Sequence, residues 1–365
     1  MQYQLYWNVW GKILEIVILN IRTLEVKEHS LINEDFEIVV DSVIYQKSKF
    51  NVNKSTINAE IGDVVFVKGL PFFYLGIISG ISNEESSITN IEVNDFSALF
   101  DIQVPVKTFT GDLCEFLKSL IDKAFKSSGD TYQNLSHLNV RKACAVTGTL
   151  TYEGTELTTI TEISEMLAKT YGIRYVYSLN IDHEGIIQGI NVDITNVTKG
   201  MVIKSNLPCI TDLVISDSNK QGANKITFYP KSENVTYKSN VSYYLYNDGT
   251  IGSYYGDNRR YKNVKVIGQL YSDNEYSSLY TKATSELLKS NLEHNIEFKI
   301  IMDNKLIVPF KNLCLGDFVE FVTPKKTYST MVTQLSLKGN FYECSVVLGE
   351  YRIKLTDKIK LLEKK

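Results

Sequence analysis

The chain of 365 residues is too long for one hydrophobic core, and its 44% hydrophobic and 22% charged residues are typical of a multi-domain globular protein. A net charge of −3 argues against recognition of nucleic acid through a basic face. Five scattered cysteines, with no CxxC pair and no Cys/His cluster, indicate neither a disulfide framework nor a zinc site.

The first part of the chain, residues 1–105, is predicted to be a β domain. Its segments rich in Val, Ile, Phe and Tyr are separated by turn residues, and no helical periodicity interrupts them. This pattern suggests a small barrel or sandwich, and we assign it as a barrel. The predicted strands are Ile13–Ile21, Phe36–Ile44, Asp63–Lys68, Tyr74–Ile81 and Ser87–Val93. The most apolar of them, Ile13–Ile21, is interrupted by Glu15 and Asn20 and is too short to span a membrane.

Residues 106–205 are predicted to form an α+β domain. Apolar residues recur at helical spacing over Leu113–Phe125, which indicates an amphipathic helix. A second helix is expected after Thr159, because Glu162 follows it at capping-box spacing. Two strands joined by a polar turn come next, Ile173–Ile181 and Ile186–Ile194. We expect a sheet that carries both helices on one face.

The rest of the chain is predicted to return to β structure. We assign residues 206–235 and 295–355 to a second barrel, residues 236–294 to a smaller β-rich insert, and residues 356–365 to a tail. The insert helix should begin at Ser272, since Glu275 follows at capping-box spacing. The predicted strands are Ala223–Tyr229, Tyr243–Tyr246, Thr250–Tyr255, Val264–Gly268, Asn295–Ile301, Lys305–Phe310 and Tyr351–Leu355.

The candidate sites all have a simple structural interpretation. Asp182, His183 and Glu184 lie in a predicted hairpin turn, where polar residues are expected. The aromatic stretch Tyr243–Tyr255 is more typical of cross-strand packing than of a sugar-stacking face. Common nucleotide-binding and hydrolase motifs are absent from the sequence. We therefore expect no catalytic residue, no cofactor-binding residue and no metal ligand.

The chain contains an internal repeat. Ile61–Val93 aligns without a gap with Leu315–Val347, at an offset of 254 residues. The apolar pattern matches along both segments, for example at Ile61 and Leu315. The identical pairs are Gly62/Gly316, Asp63/Asp317, Val65/Val319, Tyr74/Tyr328, Ser82/Ser336 and Val93/Val347. Two copies of one small β module predict equivalent positions in a ring.

Three stretches together resemble one protein family. They are the hairpin Tyr243–Ile251, the helix-to-strand passage Ala283–Phe298, and the run from Leu315 to Thr333 that ends at Leu348–Arg352. They are similar to the baseplate hub proteins of long-tailed bacteriophages, including the hub part of tail-associated lysins. Related hubs occur in contractile bacteriocins and type VI secretion spikes. The resemblance covers nearly the whole chain and is clearest over residues 210–355.

The resemblance implies a structural, non-enzymatic homotrimer. Each subunit of such a hub contributes two similar β domains, so three chains present a pseudo-six-fold ring to a six-fold tail tube or distal tail protein. Tape-measure and receptor-binding proteins are further expected partners, and phage DNA would pass without specific recognition. The implied location is the virion tail tip, after assembly in the host cytoplasm. Some family members continue into a hydrolase or receptor-binding extension, which we do not expect in these 365 residues.

Two other hypotheses stay open at this point. A cell-wall hydrolase acting at the host surface would use His183 and Glu184, and a glycan-binding module would use the hairpin at Tyr243–Tyr255. The first would require turnover that is lost on substitution of those two residues. The second would require glycan binding that is lost on substitution of the tyrosines.

Overall fold

A computed structural model describes the chain except for residues 1–13, 42–46, 86, 197–199, 218–222, 232–238, 247–249, 255, 257–265, 289–293, 340 and 350–365. Several predicted features therefore lie outside the described residues. They are the strand Tyr351–Leu355, the tail at 356–365, the hairpin turn at 247–249, and the ends of the strands Ile13–Ile21, Phe36–Ile44, Thr250–Tyr255 and Val264–Gly268.

The described residues form 22 strands and three α-helices, so the mixed β and α+β class is confirmed. The helices are α1 Leu113–Phe125, α2 Ile160–Tyr171 and α3 Leu279–Leu288. Within these residues no helix is both long and apolar enough to cross a membrane. The strands are β1 Glu15–Leu19, β2 Val26–Leu31, β3 Glu37–Asp41, β4 Ser48–Val52, β5 Val64–Lys68, β6 Leu75–Glu85, β7 Ile88–Asp95, β8 Gln103–Asp112, β9 Leu138–Lys142, β10 Thr147–Thr159, β11 Ile173–Ile181, β12 Ile187–Asn196, β13 Met201–Lys204, β14 Ile210–Asp217, β15 Lys225–Pro230, β16 Val241–Leu245, β17 Ile251–Gly252, β18 Val266–Tyr271, β19 His294–Ile301, β20 Phe318–Val322, β21 Thr327–Lys338 and β22 Glu343–Gly349.

The chain divides into two compact units. Unit 1 comprises Met1–Leu213 and Glu297–Val347, and unit 2 comprises Val214–Ile296 and Leu348–Lys365. The division passes through β14, β19 and β22. The finer domain boundaries given above stay a prediction.

The first β module of unit 1 has the strand order β3-β4-β7-β6-β5-β1-β2, with antiparallel pairing. β1 and β5 are buried on both faces. Ile16 and Ile18 pack into the interior of the module, whereas Val17 and Leu19 face the core of the α+β part. Successive side chains of a strand point to opposite faces. Because both faces of β1 and β5 are buried among apolar residues, these strands are apolar at nearly every position.

The second β module repeats the arrangement around β20, β21 and β22. β20 pairs with the first half of β21, and β13 lies parallel to β20. The second half of β21 pairs antiparallel with β3, from Gln334 opposite Asp41 to Lys338 opposite Glu37. We call this pairing the seam, and it joins the two modules within unit 1. Among the described strands no sheet closes on itself, so the expected barrels stay a prediction.

The α+β part of unit 1 confirms both predicted helices. Asp112 caps α1 by accepting from Cys114 N at 3.0 Å. Thr159 and Glu162 form the predicted capping box of α2, and Gly172 ends that helix with a φ of 68°. Helices commonly end at a glycine with a positive φ, as here. The two helices lie against a three-stranded sheet of order β11-β12-β9.

Unit 2 contains a four-stranded sheet of order β17-β16-β15-β18, covered by α3. The apolar face of the helix, with Leu279, Ala283 and Leu287, packs on Ile226 and Phe228 of β15. Ser272 starts the segment as predicted, but its first turns, Asp273–Ser278, are a 3-10 helix. The carboxylate of Glu275 accepts from Ser272 N at 2.7 Å and holds this start in place.

Glu275 makes the stability of unit 2 dependent on pH. Burial opposes its ionisation, but hydrogen bonds from Lys282 and Ser272 lower the pKa of its carboxyl to about 2. An unfolded glutamate has a pKa of about 4.3, so the carboxylate stabilises the fold above that pH and loses its effect as the pH falls toward 2. We expect Glu275→Gln to remove on the order of 2 kcal/mol of acid-sensitive stability.

Urea unfolding of the whole chain between pH 2 and 6 measures this effect. Glu184→Gln, in an exposed turn of unit 1, is the control and should leave the pH dependence as it is in the wild type. An unchanged pH dependence in Glu275→Gln would contradict the assignment.

The predicted strand Lys305–Phe310 is wrong. The side chain of Asn304 accepts from Leu306 N at 3.0 Å and Ile307 N at 2.8 Å, which folds the segment into turns. Asparagine often competes with strand pairing in this way. Two further strands, β8 and β10, were not predicted and form a two-stranded ribbon of their own.

Candidate functional site: the duplicated turn and the seam

The repeated Gly-Asp pair forms the same tight turn in both modules. Gly62 has a φ of 96° and Gly316 a φ of 80°, in the region that glycine adopts without a steric penalty. β5 and β6 pair with Val64 opposite Ile77, and β20 and β21 pair with Phe318 opposite Met331. The offset of 254 residues therefore holds for strand register as well as for sequence.

The backbone hydrogen bonds of the two turns correspond one to one. Gly62 N donates to Ile78 O and Gly316 N to Val332 O, both at 2.9 Å. In each turn the following aspartate accepts, through its carboxylate, from the backbone N–H three residues earlier, at 2.7 Å in both copies. This side-chain cap explains why Asp63 and Asp317 accompany the two glycines in the repeat.

The two aspartates differ in their cationic partners. Lys27 Nζ lies 2.8 Å from Asp63 Oδ2, and hydrogen bonding to Asp63 raises the pKa of Lys27 despite partial burial. Asp317 instead accepts from the guanidinium of Arg174 in β11, which also donates to Leu315 O at 3.2 Å. The repeated turn is thus adapted in the second module to hold the α+β part of unit 1.

Alanine at either glycine tests the turn. Gly62→Ala and Gly316→Ala should each lower the free energy of unfolding by about 1 kcal/mol, because an L side chain at these φ values is strained. At Gly62 no heavy atom lies within 4 Å of the added methyl group, so backbone strain alone would cause the loss. Urea unfolding of both variants measures it. Gly129→Ala, which meets open space without a positive φ, is the control.

A cavity of about 390 Å³ lies beside the second turn, within unit 1. Side chains from both modules and from the α+β part line it, among them Asp95, Tyr175 and Cys314. Burial raises the pKa of Asp95 and of Tyr175, although Ser97 N donates to Asp95 at 2.9 Å. The hydroxyls of Tyr74, Thr161 and Tyr175, which also line the cavity, are buried without a hydrogen-bond partner among the described residues. The cavity lies within the packing between the three parts of unit 1.

The residues weighed as a hydrolase site lie in an exposed turn. Asp182 accepts from the backbone N–H of Glu184 and of Ile186, each at 2.9 Å, and these bonds lower the pKa of its carboxyl. The side chain of His183 is 90% exposed. The structure therefore brings these side chains together as a turn on the surface. Within the described residues, no group of three His, Cys, Asp or Glu side chains is arranged to hold a metal ion.

The tyrosines weighed as a sugar-binding face pack into unit 2 in different ways. Tyr244 is buried, and Tyr243 makes edge contacts with Phe228 and Tyr280. Tyr246 Oη donates to Tyr254 O at 2.8 Å. Tyr255 lies outside the described residues. Within the described part, these tyrosines contact the neighbouring strand β15, the helix α3 and each other.

Comparison with known proteins connects this fold to phage tails. No protein-family model and no curated protein matches the sequence. Solved structures do match along almost the whole chain. A tail protein from Neisseria meningitidis MC58 has a TM-score of 0.52 and 12% identity, and the match covers 92% of this chain and 96% of that one.

Two further structures agree. A chain of the p2 virion baseplate in its activated conformation has a TM-score of 0.53 and 13% identity, with 94% of this chain and 100% of that chain covered. The prophage tail protein gp18 from Listeria monocytogenes EGD-e has a TM-score of 0.52 and 12% identity, with 96% and 98% covered. This chain therefore has the fold of phage tail and baseplate proteins, which confirms at the level of the fold the resemblance found in the sequence.

Proposed function

We propose that this protein is a structural hub at the tip of a phage tail. It acts as a homotrimer in which each chain contributes two equivalent β modules, so that six modules surround the tail axis. Each module closes into a small barrel in the assembled ring. The ring joins the tail tube or the distal tail protein to the tip and forms or closes the channel through which DNA leaves.

The observation that carries this proposal is the duplication itself. Both modules have the same Gly-Asp turn, the same strand register and the same order of strands around it. The seam between β21 and β3 places the two modules side by side in one chain. Contacts that repeat between successive modules generate a closed ring when the rotation closes. Three chains with two modules each then present six similar positions to a six-fold partner, and all three chains have the same surroundings.

The charge of the chain fits a channel that passes DNA without holding it. A channel rich in Lys and Arg would bind phosphates and slow the DNA. The net charge is −3, and Asp and Glu together outnumber Lys and Arg by 42 to 39. The proposal includes no covalent chemistry, since Asp182, His183 and Glu184 form an exposed turn.

Light scattering and electron microscopy test the proposal. We expect a particle of three times the chain mass of 41.5 kDa, and six similar lobes in projection along its axis. A stable monomer at micromolar concentration, even with the tail tube or distal tail protein added, would contradict it. Robust cell-wall turnover that disappears in His183→Ala would instead support the hydrolase hypothesis.

A further inference from the structure

The seam shows how one module binds the next. In the second half of β21, Gln334 to Lys338 pair with β3 along the edge that β20 occupies in the first half. Leu335, Ser336 and Leu337, which take part in this pairing, are almost completely buried. Lys338 at its end lies near Glu37, with 3.8 Å between Nζ and Oε1. One long strand thus serves two partners on the same side, one from its own module and one from the neighbouring module.

The first module has the same long strand, but none of the described strands takes the place of β3 beside it. By the repeat offset, residues 80–84 of β6 correspond to the seam residues 334–338. Among the described strands, this part of β6 pairs with β7 alone. Ser82 is exposed, whereas its counterpart Ser336 is 7% exposed, and Ile81 is half-buried where Leu335 is fully buried. The edge that β3 covers in the second module is therefore not covered by any described strand in the first.

The strand that corresponds to β3 is β14. β3 lies next to β4 and then β7, and β14 lies next to β19 and then β22, which is the counterpart of β7. Within unit 1, Ile301 N donates to Cys209 O at 2.9 Å, and Lys299 pairs with Asp212 at 2.8 Å. These contacts lie on the β19 side of β14.

The other side of β14 has no neighbour among the described strands. Asp212 and Val214 are exposed, whereas Ile38 and Val39 of β3, the strand that the seam covers, are buried. Within the part of the chain that the structure describes, β14 therefore presents an uncovered edge, just as β6 does.

We propose that the free edge of β6, residues 80–84, pairs with the free edge of β14 in a second copy of this chain. This inference rests on the proposed homotrimer and names its interface. This contact between chains has the same form as the seam within one chain. Each copy contributes its β6 edge to one neighbour and its β14 edge to the other. Pairing two uncovered edges satisfies backbone groups that otherwise invite non-specific association. Head-to-tail contacts of this kind close into a ring when the rotation between successive copies adds up to a full turn.

Cross-linking between two single-cysteine variants tests the interface. Ser82→Cys chains are co-expressed with chains that carry Thr211→Cys or Leu213→Cys, and the purified protein is treated with a short bismaleimide. We expect a denatured band at twice the chain mass, at least fivefold stronger than in wild type, whose five native cysteines are the background. Only a contact between chains can produce this band, because each chain carries one of the two new cysteines.

Two control pairs fix the interpretation. Lys338→Cys with Glu37→Cys in one chain, directly opposite in the seam, should give a linked peptide by mass spectrometry and no band of doubled mass. Ser82→Cys co-expressed with Tyr132→Cys, an exposed residue of the α+β part, should give no band above background.

Light scattering on the same samples separates the two proposals. A trimer that cross-links through β6 and β14 supports both. A trimer that fails to cross-link at either β14 position, while the seam control succeeds, overturns the proposed interface and leaves the hub function standing. A monomer that also fails to cross-link with the tail partner present overturns both.

Discussion

Arg174→Ala is expected to lower the free energy of unfolding of unit 1 by about 2–3 kcal/mol. The guanidinium pairs with Asp317 and donates to Leu315 O, and the two charged side chains are only 25% and 14% exposed. Removing one member of a largely buried pair leaves the other charge uncompensated, which costs far more than the loss of a surface pair. Urea unfolding of the whole chain measures the difference.

A second arginine of the same sheet is the control. Arg141 pairs with Asp193 at 2.6 Å, but its side chain is 54% exposed. Arg141→Ala should therefore cost less than 1 kcal/mol. Arg174→Lys keeps the charge but not the planar fork, so it should lie between the wild type and Arg174→Ala. Equal losses for Arg141→Ala and Arg174→Ala would contradict a special role of the second turn.

Gly76→Ala is expected to destabilise the first module by about 2–3 kcal/mol, near the upper end for overpacking of a core. Gly76 lies in β6 opposite Val65 of β5 and Asp95 of β7. A methyl group there would lie 2.4 Å from Val93 Cγ1 and 2.5 Å from Asn94 O. The carbonyl belongs to the backbone of a paired strand, so relief requires movement of the sheet. Urea unfolding and the trimer content by light scattering measure the result.

The repeat provides the matched comparison for this variant. The position equivalent to Gly76 in the second module is Thr330, which is buried and carries a full side chain. Thr330→Ala should cost less than Gly76→Ala, because it removes atoms from a module that already accommodates them. Gly129→Ala, where the methyl group meets open space, should change stability by less than 0.5 kcal/mol, as surface substitutions usually do. If Gly76→Ala is as stable as Gly129→Ala, the prediction is wrong, because β7 can then move away from the added methyl group without a loss of stability.

Features that depend on a few consecutive residues could be predicted from the sequence. The capping box of α2 followed from Thr159 and Glu162, because it joins groups within three residues of each other. β11 has the predicted bounds, and β5 and β19 lie within one residue of the prediction. The ribbon of β8 and β10 was missed because most of its residues are exposed or half-buried, which leaves no apolar alternation to read.

The repeat shows how far such local chemistry extends. Gly62 and Gly316 are needed for a positive φ, and Asp63 and Asp317 cap the backbone three residues earlier, so the same letters recur wherever the turn recurs. The likeness of the two modules could thus be inferred from the sequence without knowledge of their surroundings. Lys305–Phe310 failed as a predicted strand because the side chain of Asn304 captured the backbone first.

By itself, the sequence determined the duplicated turn, the capping box of α2 and strands such as β5, β11 and β19, because these depend on neighbouring residues and on side-chain pattern. Only the tertiary structure decided that β21 receives β3, and that Arg174 meets Asp317 across 143 residues of chain. Every strand edge offers the same backbone N–H and C=O groups, so the sequence of a strand does not identify its partner. In the same way, nothing in the sequence around Arg174 or Asp317 shows that the two side chains form a pair. These long-range pairings form only when distant segments are brought together around a packed core. They therefore depend on residues throughout the chain.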